Sequence, residues 1–250
     1  MVKFVSPASG GQKGFTLIEM SIVLVIIGLI IGGILKGQEV IANARAKATI
    51  NQMNAQRSAV NTYFDRYRAL PGDDAQGALR VDARLVAGNG NGVVGANAGA
   101  TEALMTAAAG NTLENYQYFK ALLAANLLNG GEITPVGTIT GTTFGVNSSL
   151  PTSPIGGAGV TVMYGGHNGD GTANTLRTAH WYRLHKDPAN AAAALSPREL
   201  AAIDNASDDG RPGSGGVRGS AGAACYVVAA DAIYALADNI GCVGYFEAHP

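Results

Sequence analysis

The sequence predicts an α+β fold: a long N-terminal helix, membrane-embedded in its first half, packed on an antiparallel sheet domain with one C-terminal disulfide loop. Three observations predict it. An apolar run of 21 residues extends from Phe15 to Leu35 and is broken by a single charge, Glu19. From Lys36 to Arg68 the chain stays free of proline and is rich in Ala, Gln, Arg and Lys. Beyond Pro71 the pattern becomes short apolar runs divided by glycine-rich turns, with Cys225 and Cys242 near the end.

The apolar run sets the frame for the rest. At roughly 1.5 Å per residue it spans about 30 Å, the thickness of bilayer hydrocarbon. A polar stretch holding Lys3 and Lys13 precedes it and ends at Gly14. A secretory signal carries its cleavage site after the apolar region. Here the Gly14–Phe15 junction lies before it, so a cut there removes residues 1–14 as a leader and leaves the membrane helix on the product. Glu19 then needs explaining, because an ionised carboxylate near the membrane interior costs on the order of 2.5 kcal/mol or more. The same cut creates a partner, the new ammonium at Phe15, on its own helix or on a neighbour stacked with an axial offset.

Gly14, Phe15, Thr16, Leu17, Ile18 and Glu19, followed by the apolar run, resemble the type IV prepilin signature. The resemblance covers about residues 10 to 70. Its family comprises subunits of type IV pili, type II secretion pseudopili and DNA-uptake pili. The resemblance implies cleavage after Gly14 by a prepilin peptidase, N-methylation of Phe15, and a Glu19 that sets subunit register by pairing with a neighbour's ammonium. It implies a structural filament subunit whose partners are copies of itself or related pilins, an inner-membrane assembly platform and an ATPase. The alternatives are a pseudopilin of a type II secretion system and a membrane-anchored module that binds a ligand or DNA.

The second half of the helix, residues 36–70, should be amphipathic. Ile50, Met53, Val60, Phe64 and Tyr67 form one stripe, which needs the globular domain, residues 71–250, to cover it. Pro71-Gly72-Asp73-Asp74 then ends the helix. The whole element would be about 80 Å long. A further helix should begin at Asn111 or Thr112, carry Leu113, Tyr116, Leu123 and Leu127, and stop at Gly130-Gly131. Ser196-Pro197-Arg198-Glu199 reads as a capping box opening a helix to about Ile203. Strands are expected at Val160 to Tyr164, Leu176 to Leu184, Cys225 to Ala229 and Cys242 to Phe246. Residues 86 to 112 and 129 to 159 read as loops.

Composition narrows the chemistry. Net charge is −1, so the chain as a whole offers no electrostatic case for nucleic acid. Lys36, Arg45, Lys47, Arg57, Arg66 and Arg68 make the helix locally basic, and solvated faces, lipid headgroups or acidic neighbours in a filament account for them. The cysteine pair reads as one disulfide in an exported domain; two buried thiols in a cytosolic protein are the alternative. With the disulfide, the leader lies in the cytoplasm and the domain lies outside the inner membrane. Asp204, Asp208 and Asp209 form an acidic turn whose oxygens could suit Ca²⁺, although the spacing does not match an EF-hand; a helix end followed by Asp/Gly turns explains it without an ion. His167-Asn168-Gly169-Asp170-Gly171 reads as a hairpin turn. Gly90 to Gly95 matches GxGxxG, but no helix is readable after it and its Asn-Gly pairs suit tight turns. His167, His180, His185 and His249 lack metal spacing. No nucleophile–base grouping stands out, so no enzyme is predicted.

Overall fold

The computed structural model describes residues 14–94, 114–133, 144–145, 148–165, 179–188, 192–220, 224–226, 233–235 and 237–249. In chain order the elements are α1 (Leu17–Tyr67), α2 (Gly77–Arg80), α3 (Glu114–Ala124), β1 (Gly159–Gly165), β2 (Ala179–His185), α4 (Pro197–Ser207), β3 (Val217–Gly219) and β4 (Gly244–His249). The chain divides into two compact units, one up to Ala42 and one from Asn43 onward, with the boundary inside α1.

In the first unit the side chains of Phe15 to Lys36 are exposed. In the second unit α1 buries Ala46, Thr49, Met53, Gln56, Ala59, Val60 and Tyr63, with Ile50 and Tyr67 partly buried beside them. The steps of three and four residues mark one helix face. Phe64 does not belong to that face: it is 44% exposed, and Tyr63 takes the core position instead. The helix also ends before the proline. Arg68 N–H donates to Phe64 O at 2.7 Å, and Arg68 itself adopts φ +53°, a left-handed residue that turns the chain out of the helix.

The α3 helix ends earlier than Gly130-Gly131. Asn126 has φ +57°, its N–H donates to Leu123 O at 3.0 Å, and Leu127 N–H reaches Leu122 O at 2.9 Å. These two bonds make a Schellman motif with Asn in the position glycine usually takes, so Leu127 packs from the cap and not from the helix. The expected start at Asn111 or Thr112, and Leu113, lie outside the described residues.

The sheet is antiparallel in the order β1-β2-β4-β3. Alternation sorts its side chains to two faces. Val160, Val162, Tyr182, Leu184, Val217 and Phe246 join the main core with Met53, Val60, Tyr63, Phe119 and Leu122 of the helices. Met163, Ala179, Trp181, Val243 and Tyr245 form a second cluster on the opposite face, where Arg218 lies over the Trp181 ring at 4.9 Å. All seven residues of β2 are buried, as befits an inner strand covered on both faces.

β1 matches expectation within a residue at each end. β2 and β4 run past the expected ends to His185 and His249, and residues 176–178 lie outside the described ones. Cys225 sits in a turn and Tyr226 makes a single bridge to Tyr234, so no strand begins at Cys225. Residues 227–229 of the expected strand lie outside the described ones. β3 was not anticipated, because three residues in a Gly/Ser-rich segment carry no readable alternation.

Candidate functional site

Local chemistry at the N-terminus builds the first candidate site. Gly14, Phe15 and Thr16 precede α1 without helical structure, so the Gly14–Phe15 peptide lies outside the helix, and both residues are exposed. Thr16 is the N-cap. Its N–H and hydroxyl donate to Glu19 Oε2 at 2.8 and 2.7 Å, and its Oγ1 accepts from Glu19 N–H at 3.3 Å. These reciprocal bonds are a capping box. Thr16-Leu17-Ile18-Glu19 carries the T-x-x-E spacing that signals one, set within the apolar signature. Glu19 thus has a local partner within its own chain. The apolar side chains that follow have none: Leu17, Leu29 and Leu35 are 88%, 72% and 62% exposed. α1 is long and apolar enough to cross a membrane. Further along, Lys36 pairs with Glu39 at 2.7 Å on the exposed surface, where such a pair contributes little.

The second expected site lies near the C-terminus. Cys225 and Cys242 form a disulfide with Cα atoms 4.9 Å apart, and both are fully buried. Cys242 is also held by backbone bonds to Leu195 in both directions, at 3.1 and 2.9 Å, so the bridge ties the turn at Cys225 to the segment entering α4. That helix opens with the expected capping box at Ser196 and Glu199 and runs on to Ser207.

Asp204, Asp208 and Asp209 converge at the end of α4, with carboxylate oxygens within 4.8 Å of one another. Protein donors already serve them. Asp204 accepts from Gly210 N–H at 3.1 Å and Tyr234 O–H at 2.7 Å. Asp208 Oδ2 accepts from the amides of Gly216 and Val217. Asp209 accepts from Arg211 N–H at 2.9 Å and Ser214 O–H at 2.6 Å. A Ca²⁺ ion takes six to eight oxygen ligands; these six hydrogen bonds use part of the acceptor capacity of the three carboxylates, with both of Asp208's bonds on Oδ2. The bonds from Asp208 to Gly216 and Val217 close the turn between α4 and β3. Burial pushes the Asp204 carboxyl up to about 6, against the pull of its two hydrogen bonds.

The glycine-rich turn at 90–95 also has an internal occupant. Asp73, buried in the Pro71-Gly72-Asp73-Asp74 segment, accepts from Asn91 N–H at 3.1 Å and Gly92 N–H at 2.8 Å. A carboxylate of the chain itself thus takes amides that a phosphate would need. Val94 N–H continues the clasp to His180 Nε2 at 3.0 Å. His180 and His185 are buried packing residues, the latter bonded to Thr161 at 2.8 Å. The His167 turn and Gly95 lie outside the described residues. Among the basic residues, Arg57 caps the Glu247 carbonyl at 2.8 Å, and Arg66 lies 5.9 Å from the Tyr67 ring centre.

Comparison with known proteins bears on the N-terminal segment. A family model described as the prokaryotic N-terminal methylation motif matches residues 10–35. Fimbrial protein EcpC of Eikenella corrodens is 35% identical over 69 residues, which cover 27% of this chain and 45% of that protein. The chain therefore spans less than half the length of this curated relative. No solved structure matches. The capped, exposed apolar helix and these two matches agree: the N-terminus of this chain carries the type IV pilin-family signature.

Proposed function

We propose that this chain is a structural subunit of a type IV pilus-like filament, assembled through its apolar N-terminal helix. The observation that carries the proposal is the N-terminal segment itself. It combines a matched methylation motif, a Gly14–Phe15 bond outside the helix, and a membrane-length apolar helix with one carboxylate in its first turn. A side-chain surface of this kind needs lipid or other apolar helices around it. As a monomer it lies in the bilayer; in a filament it lies in a bundle of like helices. Assembly exchanges one apolar surrounding for the other, so extraction and return both carry modest free-energy changes.

In this reading a prepilin peptidase cuts after Gly14 and Phe15 is N-methylated. Glu19 passes from its bonds with Thr16 to the ammonium of a neighbouring subunit, which sets the axial register. The partners are copies of this chain or related pilins, an inner-membrane platform and an ATPase. The C-terminal domain lies in the periplasm before assembly.

The test is mass spectrometry of filaments sheared from cells. A dominant peptide starting at methylated Phe15 in the sheared fraction supports a pilus subunit. The same peptide confined to membranes, or present in trace in filaments, favours a minor pilin or a secretion pseudopilin. A chain still joined across Gly14–Phe15 removes the basis of the proposal. Glu19→Ala should be processed normally yet assemble poorly, and a wild-type filament yield from it would overturn the register role.

A further inference from the structure

We propose that Asn91 is a self-modification site, at which the Asp73 carboxylate acts as the base for deamidation. Two Asn-Gly pairs lie in tandem here, Asn89-Gly90 and Asn91-Gly92. Their side-chain carbonyls are polarised alike by the amide two residues on: Asn89 Oδ1 accepts from Asn91 N–H at 2.9 Å, and Asn91 Oδ1 from Val93 N–H at 2.8 Å. Their nucleophiles differ. Gly90 N–H donates to the backbone carbonyl of Asp73 at 2.9 Å, whereas Gly92 N–H donates to its carboxylate Oδ2 at 2.8 Å. A peptide carbonyl is too weak a base to accept that proton as the new bond forms; a carboxylate can serve as a general base.

The Gly92 nitrogen attacks Asn91 Cγ while its proton passes to Asp73. The bond from Cγ to the side-chain nitrogen then breaks, and ammonia leaves with the proton that Asp73 returns. The succinimide so formed is opened by water to aspartate or isoaspartate. No oxidant or cofactor is involved, and Asn91 and Gly92 are exposed, so water is at hand. The Val93 amide stabilises the oxyanion that develops on Asn91 Oδ1. The product places a new carboxylate in a turn whose amides clasp Asp73, and like charges at this range repel. The clasp that leads through Val94 to His180 loosens as a result.

The experiment incubates the full chain in detergent at neutral pH and maps deamidated and isoaspartyl peptides with time. In the folded chain Asn91 should convert at least about fivefold faster than Asn89, and in urea at a comparable rate. Asp73→Asn should bring Asn91 down to the Asn89 rate while leaving Asn89 unchanged. Equal rates in the folded chain overturn the proposal, as does a ratio that persists in urea. A ratio unchanged in an Asp73→Asn chain with native Trp181 fluorescence overturns it too. Should that variant unfold, the two wild-type ratios decide alone.

Discussion

Between Phe15 and Ile41 large apolar side chains stand exposed, and the side-chain polar contacts are local: a helix cap, a Ser21 hydroxyl bonded to the Ile18 carbonyl, and a surface ion pair. From Asn43 onward most of the described large apolar groups turn inward, and buried polar groups such as Asp73, Asp204 and Tyr118 find partners in other segments of the fold. The difference teaches where each region finds its stabilising surroundings. The globular unit carries its own. The apolar helix has to take them from outside, from lipid or from other helices, so substitutions in it should register in assembly and not in folding.

The sharpest break of that contrast pairs Leu122→Ala with Ile27→Ala. Leu122 is fully buried in the main core, and its truncation should cost about 2–5 kcal/mol. Ile27 is 45% exposed, and its truncation should leave the melting of the globular unit unchanged. Thermal unfolding in detergent, followed by the single tryptophan, Trp181, reads both. A destabilised Ile27→Ala unit would mean that the two regions are coupled.

Next in size is Cys225→Ser. The bridge closes 17 residues of separation, and opening a loop of that length should cost about 3 kcal/mol. The loss should match that of wild-type protein in reductant; a reduced wild type that keeps its melting temperature would show that the backbone bonds around Leu195 suffice.

The Asp204 carboxyl sharpens the contrast through pH. Its folded value of about 6 lies above the ordinary 3.8, so the folded chain binds this proton more tightly than the unfolded one. The contribution to stability is complete below about pH 4 and is lost as pH rises through about 6, and for a shift of this size it amounts to about 3 kcal/mol. Asp204→Asn should flatten that part of the stability profile between pH 4 and 7, measured by denaturant unfolding. A profile as steep as the wild type's would place the titration elsewhere.

The smallest effect should come from Ca²⁺. Because protein donors already serve Asp204, Asp208 and Asp209, millimolar Ca²⁺ should leave the melting temperature within about a degree of the metal-free value. A rise of several degrees that Asp208→Asn abolishes would show that the ion displaces those donors.

Legibility in the sequence divides along the same line. The helix, its exposed apolar first half, the Ser196 cap and the strand cores near Val160, Leu184 and Phe246 could be read because each rests on local pattern and spacing. Phe64 was misassigned to the buried stripe because Tyr63 and Phe64 are equally apolar in sequence; only the domain packed against the helix chooses between them. The α3 end was misplaced because Asn126, not a glycine, takes the left-handed position. At the N-terminus the cap was written in plain spacing, Thr16 to Glu19, and was overshadowed by the membrane pattern around it.

What the sequence by itself determined is the part that depends on neighbours within about one helical turn, the membrane-length helix and its signature residues from Gly14 to Glu19, together with a cysteine pair that has nothing else to bond. What only the tertiary structure decided is where the long-range acceptors fall: Asp73 under the Asn-Gly turn, Asp204 beneath Tyr234, His180 at Val94, and the short β3 at the sheet edge. Side-chain periodicity records which face is buried, because water acts on every residue alike. It does not record which distant donor meets which acceptor, because that pairing exists only once the chain has closed on itself.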